Sequence, residues 1–261
     1  MPILHDRLPF HVWTDPRLNR LPGILPLDID DWLRIDEAYA AQMAERIRLI
    51  DSIPDKVHSL LPEAREPAEE LYDMIAARLP GLGFHHQDGD WLCPDGRRVP
   101  DDRARPLLTL GRLLQEDFCL LQTGPEGSHV LTGAILCFPA SWTLSQKIGR
   151  NLLGIHIPVE SYDANIAARV QRLFDAIRPE QPLWRANVLD YADPALYQPR
   201  REGETKPTGT RDKAFIRSER QCLLRLPKSR AVVFSIHTYL VHRASLPVEA
   251  EAAFRDYVHP A

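Results

Sequence analysis

Apolar residues recur at helical spacing in three stretches of the chain. The first stretch has intervals of four, four and three residues, and the second ends at Pro80, which cannot continue a helix. The third, SYDANIAARVQRLFDAIRPEQP, can be capped by Ser161 or Asp163. Each pattern predicts a helix with one face in the core. The three faces consist of Tyr39, Met43, Ile47 and Ile50; of Leu71, Met74, Ile75 and Leu79; and of Ile166, Val170, Leu173, Phe174 and Ile177.

Strand-like runs dominate the chain after about residue 107. FCLLQT and HVLTGAILCF flank GPEGS and predict one hairpin, and FIRSERQCLLRL and AVVFSIHTYL predict a second. In the last strand Val232, Phe234, Ile236 and Leu240 share one face, so His237 and Tyr239 lie on the other. Glycine, proline and aspartate at turn density in 83–102 predict a short hairpin with loops, with His85 and His86 at the surface.

The order of these elements predicts one α+β domain over residues 1–261. Its helices come first, followed by an antiparallel sheet that one long helix interrupts. The proline-rich residues 1–30 are expected to form an extended arm packed on the body. A polar, proline-containing segment over 184–213 is expected to include a mobile loop at 200–213.

The stretch Trp142–Val159, WTLSQKIGRNLLGIHIPV, contains the most informative histidine. Pro158 disfavours helix at the residue before it, which predicts an extended GIHIPV. In an extended chain Ile155, Ile157 and Val159 share a face and His156 points the other way. His156 is therefore either a ligand for a planar cofactor or a histidine hydrogen-bonded inside the core.

Composition narrows the classes of function. A net charge of −4 gives no basic footprint for nucleic acid, and no apolar run is long enough for a membrane span. The N-terminus lacks the pattern of a signal peptide. The four cysteines show no CxxC pair or disulfide framework, which favours a reducing cytoplasm. Cys137 is a weak alternative as a thiolate ligand to haem iron.

Known nucleotide, serine-hydrolase and zinc-protease motifs are absent, so individual side chains carry the remaining chemistry. Glu116 and Asp117 are expected to cap a strand in solvent or, over a pocket, to bind a cationic amine or relay a proton. Arg220 shares a strand face with apolar residues and needs Glu116, Asp117, a cofactor carboxylate or water as partner. Lys147, Arg150, Arg217 and Arg220 are together candidates for holding haem propionates.

Four segments in order, LQEDFCLL, CFPASWTLSQKIG, LLGIHIPV and RSERQCLLRLPKSRAVVFSIHTY, resemble the haem-dependent oxidative N-demethylase family, the α-subunit type of dimethylamine monooxygenase. The similarity runs from roughly residue 20 to residue 245. It implies a PAS-like antiparallel sheet with flanking helices and a b-type haem whose iron is bound by His156, the histidine of the H-x-P-V motif. Tyr162, Glu116 and Asp117 become candidates for the distal pocket.

The resemblance also implies the reaction. Such a protein activates O2 and oxidises an N-methyl group of a small dimethylamine-like amine, with release of formaldehyde. Electrons come from NAD(P)H through separate flavin and iron–sulfur components. A PAS-like haem sensor, a haem-binding protein without turnover or a subunit that has lost the cofactor are the alternatives. The chain departs from the family pattern at Glu160, where a second proline is common, at Val188, where tryptophan is expected, and at His237, which is often arginine.

Overall fold

A computed structural model describes residues 1–20, 23–156, 164–204 and 213–258, without the side chains of residues 156 and 164–168. Its helices are α1 (Tyr39–Ser52), α2 (Pro54–Val57), α3 (Arg65–Ala76), α4 (Pro106–Leu113), α5 (Leu152–His156), α6 (Ala164–Ala176) and α7 (Val248–Val258). Its strands are β1 (Leu25–Pro26), β2 (His58–Leu60), β3 (His85–Gln87), β4 (Asp90–Leu92), β5 (Arg98–Pro100), β6 (Asp117–Thr123), β7 (His129–Ile135), β8 (Leu183–Tyr191), β9 (Phe215–Arg225) and β10 (Val232–His242).

One seven-stranded antiparallel sheet organises these elements, in the order β1-β8-β9-β10-β6-β7-β2. The long strands β9 and β10 lie near its centre and pair along their full length. A second, three-stranded sheet has the order β3-β4-β5. The architecture is therefore α+β with an antiparallel sheet, as the sequence predicts. None of the helices in the described ranges is long and apolar enough to cross a membrane.

The two faces of the large sheet are covered by different parts of the chain. The back face, which includes Phe118, Leu224 and Val233, packs against α1, α3 and α4. At its far end, residues of the N-terminal segment and α7 cover Val188 and Val241. The front face consists of the alternate side chains, including Cys119, Leu121, Leu223 and Ile236, which pack against Leu144, Leu152, Phe174 and Ile177. Because side chains alternate along each strand, neighbouring residues serve opposite faces.

The structure confirms the predicted helices α1, α3 and α6 and both long hairpins, β6–β7 and β9–β10. His85 and His86 are exposed, as predicted. The segment 83–102 contains three strands instead of two. The prediction missed α4, α7 and β8, and β8 occupies part of the segment that was expected to be irregular.

The N-terminal segment packs on the body as expected but is not extended throughout. Leu8, Val12 and Trp13 are buried, and the backbone N–H of His5 donates to the carbonyl of Leu240 at 2.7 Å. Residues 11–19 form consecutive turns, with the Asp15 N–H donating to the His11 carbonyl. The greater part of the predicted mobile loop, residues 205–212, lies outside the described residues.

Candidate functional site

A polar patch interrupts the apolar front face where β8, β9 and β10 run side by side. Strand register places its residues in three rows across the strands. Side chains directly opposite each other in antiparallel strands lie on the same face, about 5 Å apart at Cβ. We call these residues the front patch: Arg185, Gln221 and Ile236 in the first row, Asn187, Glu219 and Thr238 in the second, and Leu189, Arg217 and Leu240 in the third.

Glu219 is the centre of the hydrogen bonds in the front patch. Its Oε2 accepts from Asn187 Nδ2 at 3.1 Å and from Gln221 Nε2 at 3.0 Å, and its Oε1 accepts from Arg217 at 3.2 Å. Asn187 Oδ1 also accepts from the Glu219 backbone N–H at 3.1 Å. Arg217 donates further to the carbonyls of Phe138 and Leu196. The carboxylate is thus buried and held in one orientation from both sides.

The front patch nevertheless contains buried polar atoms that find no partner among the described residues. They are Arg185 Nε, Arg217 Nε and Thr238 Oγ1. Burial lowers the pKa of Arg185, and the negative charge of Glu219 opposes that effect. Buried donors without acceptors cost free energy, so three in one patch indicate a place where a ligand completes the hydrogen bonding. Beside Arg217, the side chain of Leu189 is 49% exposed, although it is large and apolar.

Lys147 and Arg150, two predicted propionate partners, share one acid, Glu202. Lys147 Nζ donates to Glu202 Oε1 at 2.7 Å and to the carbonyl of Ile155, and Arg150 donates to both oxygens of Glu202. Hydrogen bonds from Lys147 and Arg150 lower the pKa of Glu202. The two cations therefore fasten the end of α5 to residue 202.

Arg220, the fourth predicted propionate partner, lies on the back face. It pairs in register with Ala186 and His237, donates to Asp31 Oδ2 at 3.0 Å, and donates to the carbonyl of Trp32. Neither Glu116 nor Asp117, the two protein partners that the sequence suggested, contacts Arg220 in the described part of the chain. Of the four predicted basic residues, Arg217 alone belongs to the front patch.

Glu116 and Asp117 are buried and are not solvated strand caps. Asp117 accepts from the guanidinium of Arg46 at 2.7 Å and from the backbone N–H groups of Cys137 and Phe138. Arg46 in turn donates to the carbonyls of residues 111, 115 and 116. This buried ion pair links α1 to the start of β6, and the guanidinium of Arg46 neutralises the charge of Asp117.

Glu116 belongs to a separate network on the back face. His237 Nδ1 lies 2.9 Å from Glu116 Oε1, and His237 Nε2 lies 2.9 Å from Asp36 Oδ2. With a carboxylate at each nitrogen, the ring is an imidazolium that donates twice. Burial alone would lower the pKa of His237, but the hydrogen bonds and charges of Asp36 and Glu116 outweigh it and raise the pKa to about 9. His5 Nε2 approaches Asp36 Oδ2 as well, at 3.0 Å.

His5, Asp36 and His237 lie close enough together to resemble a metal site. The hydrogen bonds argue against one. The Leu240 N–H donates to His5 Nδ1, so the proton of a neutral His5 is on Nε2, which then donates to Asp36. Both Nε2 atoms are therefore N–H donors with no lone pair for a cation, and the cluster is an ionic contact between β10, residue 36 and the N-terminal segment.

The predicted iron ligand lies at the end of α5. Residues 152–156 are helical, so the expected extended geometry with alternating faces is wrong for them. The side chain of His156, and Tyr162 and Glu160 altogether, lie outside the described residues. Ile155 packs against the apolar cluster of the front face, which places the backbone of residue 156 on the same side of the sheet as the front patch.

Other possible iron ligands have less suitable surroundings. His237 uses both ring nitrogens. His129 Nε2 is buried without a partner among the described residues, but it stands at the opposite end of the front face, beside Phe174. Burial raises the pKa of Cys137 to about 12, so its sulfur stays a thiol at neutral pH.

The sequence analysis missed Arg185, Glu219 and Thr238. The signal for Arg185 is the alternation in LWRANVLDY, where Trp184, Ala186 and Val188 serve one face and leave the polar residues on the other. Glu219 has the strand parity of Arg217, and Thr238 that of Ile236.

One comparison with known proteins bears on this arrangement. The sequence model of the family described as haem-dependent oxidative N-demethylase, alpha subunit-like, matches residues 23–255.

Proposed function

The chain belongs to the haem-dependent oxidative N-demethylase, alpha subunit-like family, and from this premise we propose that it is a haem monooxygenase for a small methylated amine. The proposed substrate resembles dimethylamine. One dimethylamine, one O2, two electrons and two protons give methylamine, formaldehyde and water. The electrons come from NAD(P)H through a separate flavin and iron–sulfur partner.

The observation that carries the proposal is the unsatisfied positive charge of the front patch. Arg185 has no carboxylate within hydrogen-bond distance among the described residues, and Arg217 has a free Nε. A haem b presents two propionates, and guanidinium groups bind carboxylates through paired N–H donors. The exposed side chain of Leu189 offers an apolar surface beside them for a porphyrin edge. The residues present therefore fit a flat, apolar dianion.

We assign the iron ligand to His156. It is the histidine of the H-x-P-V motif, and the backbone of α5 brings it to the front side of the sheet. When bound, the haem supplies the reductive activation of O2 and the oxidation of the N-methyl group. The chain itself contributes the ligand, the guanidinium donors for the propionates and, through α6 and the apolar front cluster, a wall that excludes water.

An absorption spectrum of the purified or haem-reconstituted protein tests the proposal. We expect a Soret band that shifts when dimethylamine is added, and formaldehyde when an electron source and O2 are supplied. His156→Ala should lose haem while the fold survives, and the exposed His85→Ala is the matched control. A wild-type protein without a Soret band refutes the proposal. Haem binding without amine response or formaldehyde supports the sensor or carrier alternative instead.

A further inference from the structure

Glu219 is the carboxylate of the front patch, and it lies where Arg185 and Arg217 would hold a dianionic ligand. Glu116 and Asp117, the acids that the sequence suggested for this role, are committed to His237 and Arg46. A haem adds two negative charges to the two positive guanidinium groups, so the charge of Glu219 is left for a cationic partner. A protonated alkylamine is such a partner.

Glu219 has hydrogen-bonding capacity to spare. A carboxylate offers about four lone-pair sites, and three side-chain donors reach this one. Arg217 is the only charged donor to Glu219 in the described part of the chain, at 3.2 Å, and Arg217 also donates to two backbone carbonyls. The neutral amides of Asn187 and Gln221 fix the orientation of the carboxylate without cancelling its charge.

Thr238 provides an independent indication. It stands directly opposite Glu219 in the register of β10, is 1% exposed, and its Oγ1 has no partner among the described residues. A buried hydroxyl without a hydrogen bond beside a buried carboxylate is costly unless a ligand joins them. A valine at this position would have nearly the same shape and no unsatisfied hydroxyl.

From these observations we infer that Glu219 binds the ammonium group of the substrate and that Thr238 Oγ1 accepts its second N–H. The inference rests on the proposed function and deepens it. A secondary alkylammonium has two N–H donors, one positive charge and apolar substituents. The carboxylate and hydroxyl match the donors, and Ile236, in the neighbouring row on the same strand face, provides an apolar neighbour for a methyl group.

The test is a titration of the haem-loaded protein with dimethylammonium chloride, followed by haem absorption, for wild type, Glu219→Gln and Thr238→Val. Glu219→Gln keeps the shape of the side chain and removes its charge, so the dissociation constant should rise by at least about tenfold. Thr238→Val should raise it by about two- to tenfold. Asp190→Asn is the control, because Asp190 lies on the opposite face of β8 from the front patch and pairs with Lys213.

Carbon monoxide binding to the ferrous protein separates a ligand contact from a structural role. Carbon monoxide is uncharged, so its affinity should be unchanged in Glu219→Gln and Thr238→Val. An unchanged amine affinity in Glu219→Gln, or an equal loss of amine and carbon monoxide binding, overturns the inference while the proposed function stands. Where Glu219→Gln does not fold, Thr238→Val decides, and wild-type affinity in that variant overturns the inference. A wild-type protein without a Soret band overturns both proposals.

Discussion

The imidazolium of His237 should make this protein lose stability as the pH rises into the alkaline range. Its charge is held by Asp36 on one side and Glu116 on the other, inside a cluster that also includes His5 and Tyr239. Because the folded state raises the pKa of His237 from 6.5 to about 9, the folded state binds this proton more tightly than the unfolded state does. The stabilisation is complete below pH 6.5 and is lost as the pH rises through about 9.

The size of the effect follows from the pKa difference. Each pH unit between the two values changes the free energy of unfolding by about 1.4 kcal/mol for one proton. The difference between 6.5 and about 9 therefore corresponds to about 3 kcal/mol, a large fraction of the stability of a typical domain. The pKa of Asp36 is lowered by its hydrogen bonds to His237 and His5, which outweigh its burial, so its contribution is lost only in acid.

Urea unfolding at a series of pH values, from below 6.5 to above 9, measures this directly. Wild type should lose about 3 kcal/mol across that range. His237→Gln should be less stable at the low end and nearly flat across it, because the titrating group is gone. Glu116→Gln keeps an acceptor for the Arg34 N–H and for the His237 ring but removes one negative charge. The variant should therefore begin to lose stability at a lower pH than wild type does.

The exposed His85→Gln is the control and should follow wild type. Parallel curves for wild type and His237→Gln would refute the reasoning, because the pH dependence would then come from other groups. A wild-type curve that is flat to pH 9 would show that the ring is neutral in the folded protein.

Three further predictions concern packing and the cofactor. Asp117→Asn should lower the free energy of unfolding, measured in urea, by about 3–5 kcal/mol, because Arg46 stays buried without its counter-charge. The double variant Arg46→Met, Asp117→Leu should lose less stability, and an equal loss would contradict this cause. Arg185→Met should weaken haem binding by at least about tenfold in a reconstitution titration. Arg172 is exposed, and Arg172→Met should leave haem affinity unchanged. Equal haem affinities for the two variants would show that Arg185 does not bind a propionate. Gly111→Ala should lower the free energy of unfolding in urea by about 1–3 kcal/mol, since the added Cβ would lie 2.6 Å from Ile135 Cγ1. Gly81→Ala has open space around it and should be nearly neutral. Similar losses for both variants would contradict the packing argument.

The sequence predicted the elements whose signal is local. Helices α1, α3 and α6 have apolar residues at helical spacing, and both long hairpins alternate between strand faces. Helix α4 was not predicted because LLTLGRLL is apolar except for Thr109 and Arg112, so it shows no clear polar face. It also contains Gly111, which lies against β7 and leaves no room for a side chain. The extended prediction for GIHIPV was wrong at residues 154–156, because Pro158 restricts only the residue directly before it.

The site was less accessible to sequence reasoning because it depends on register. Arg185, Glu219 and Thr238 are far apart in sequence, and they meet because β8, β9 and β10 pair with one particular alignment. A shift of one residue would send each of them to the other face. Arg217 and Arg220 show the consequence: three residues apart in one strand, they serve opposite faces, and the single interpretation that the sequence suggested for both fits only Arg217.

The contrast between the two faces of the sheet indicates which one is built to receive a ligand. On the back face, each buried cation of the central strands has an acid in contact: Arg220 with Asp31, and His237 with Asp36 and Glu116. On the front face, Arg217 contacts Glu219, and Arg225 donates to the carbonyls of Phe174, Ile177 and Arg230. Arg185 has neither an acid nor a carbonyl as a hydrogen-bond partner among the described residues. Burying a charge without a partner is costly, so the unpartnered guanidinium of Arg185 supports our proposal that an anion binds on this side. His237 contributes to the matched charges of the back face, since an imidazolium with a pKa of about 9 keeps its positive charge at neutral pH.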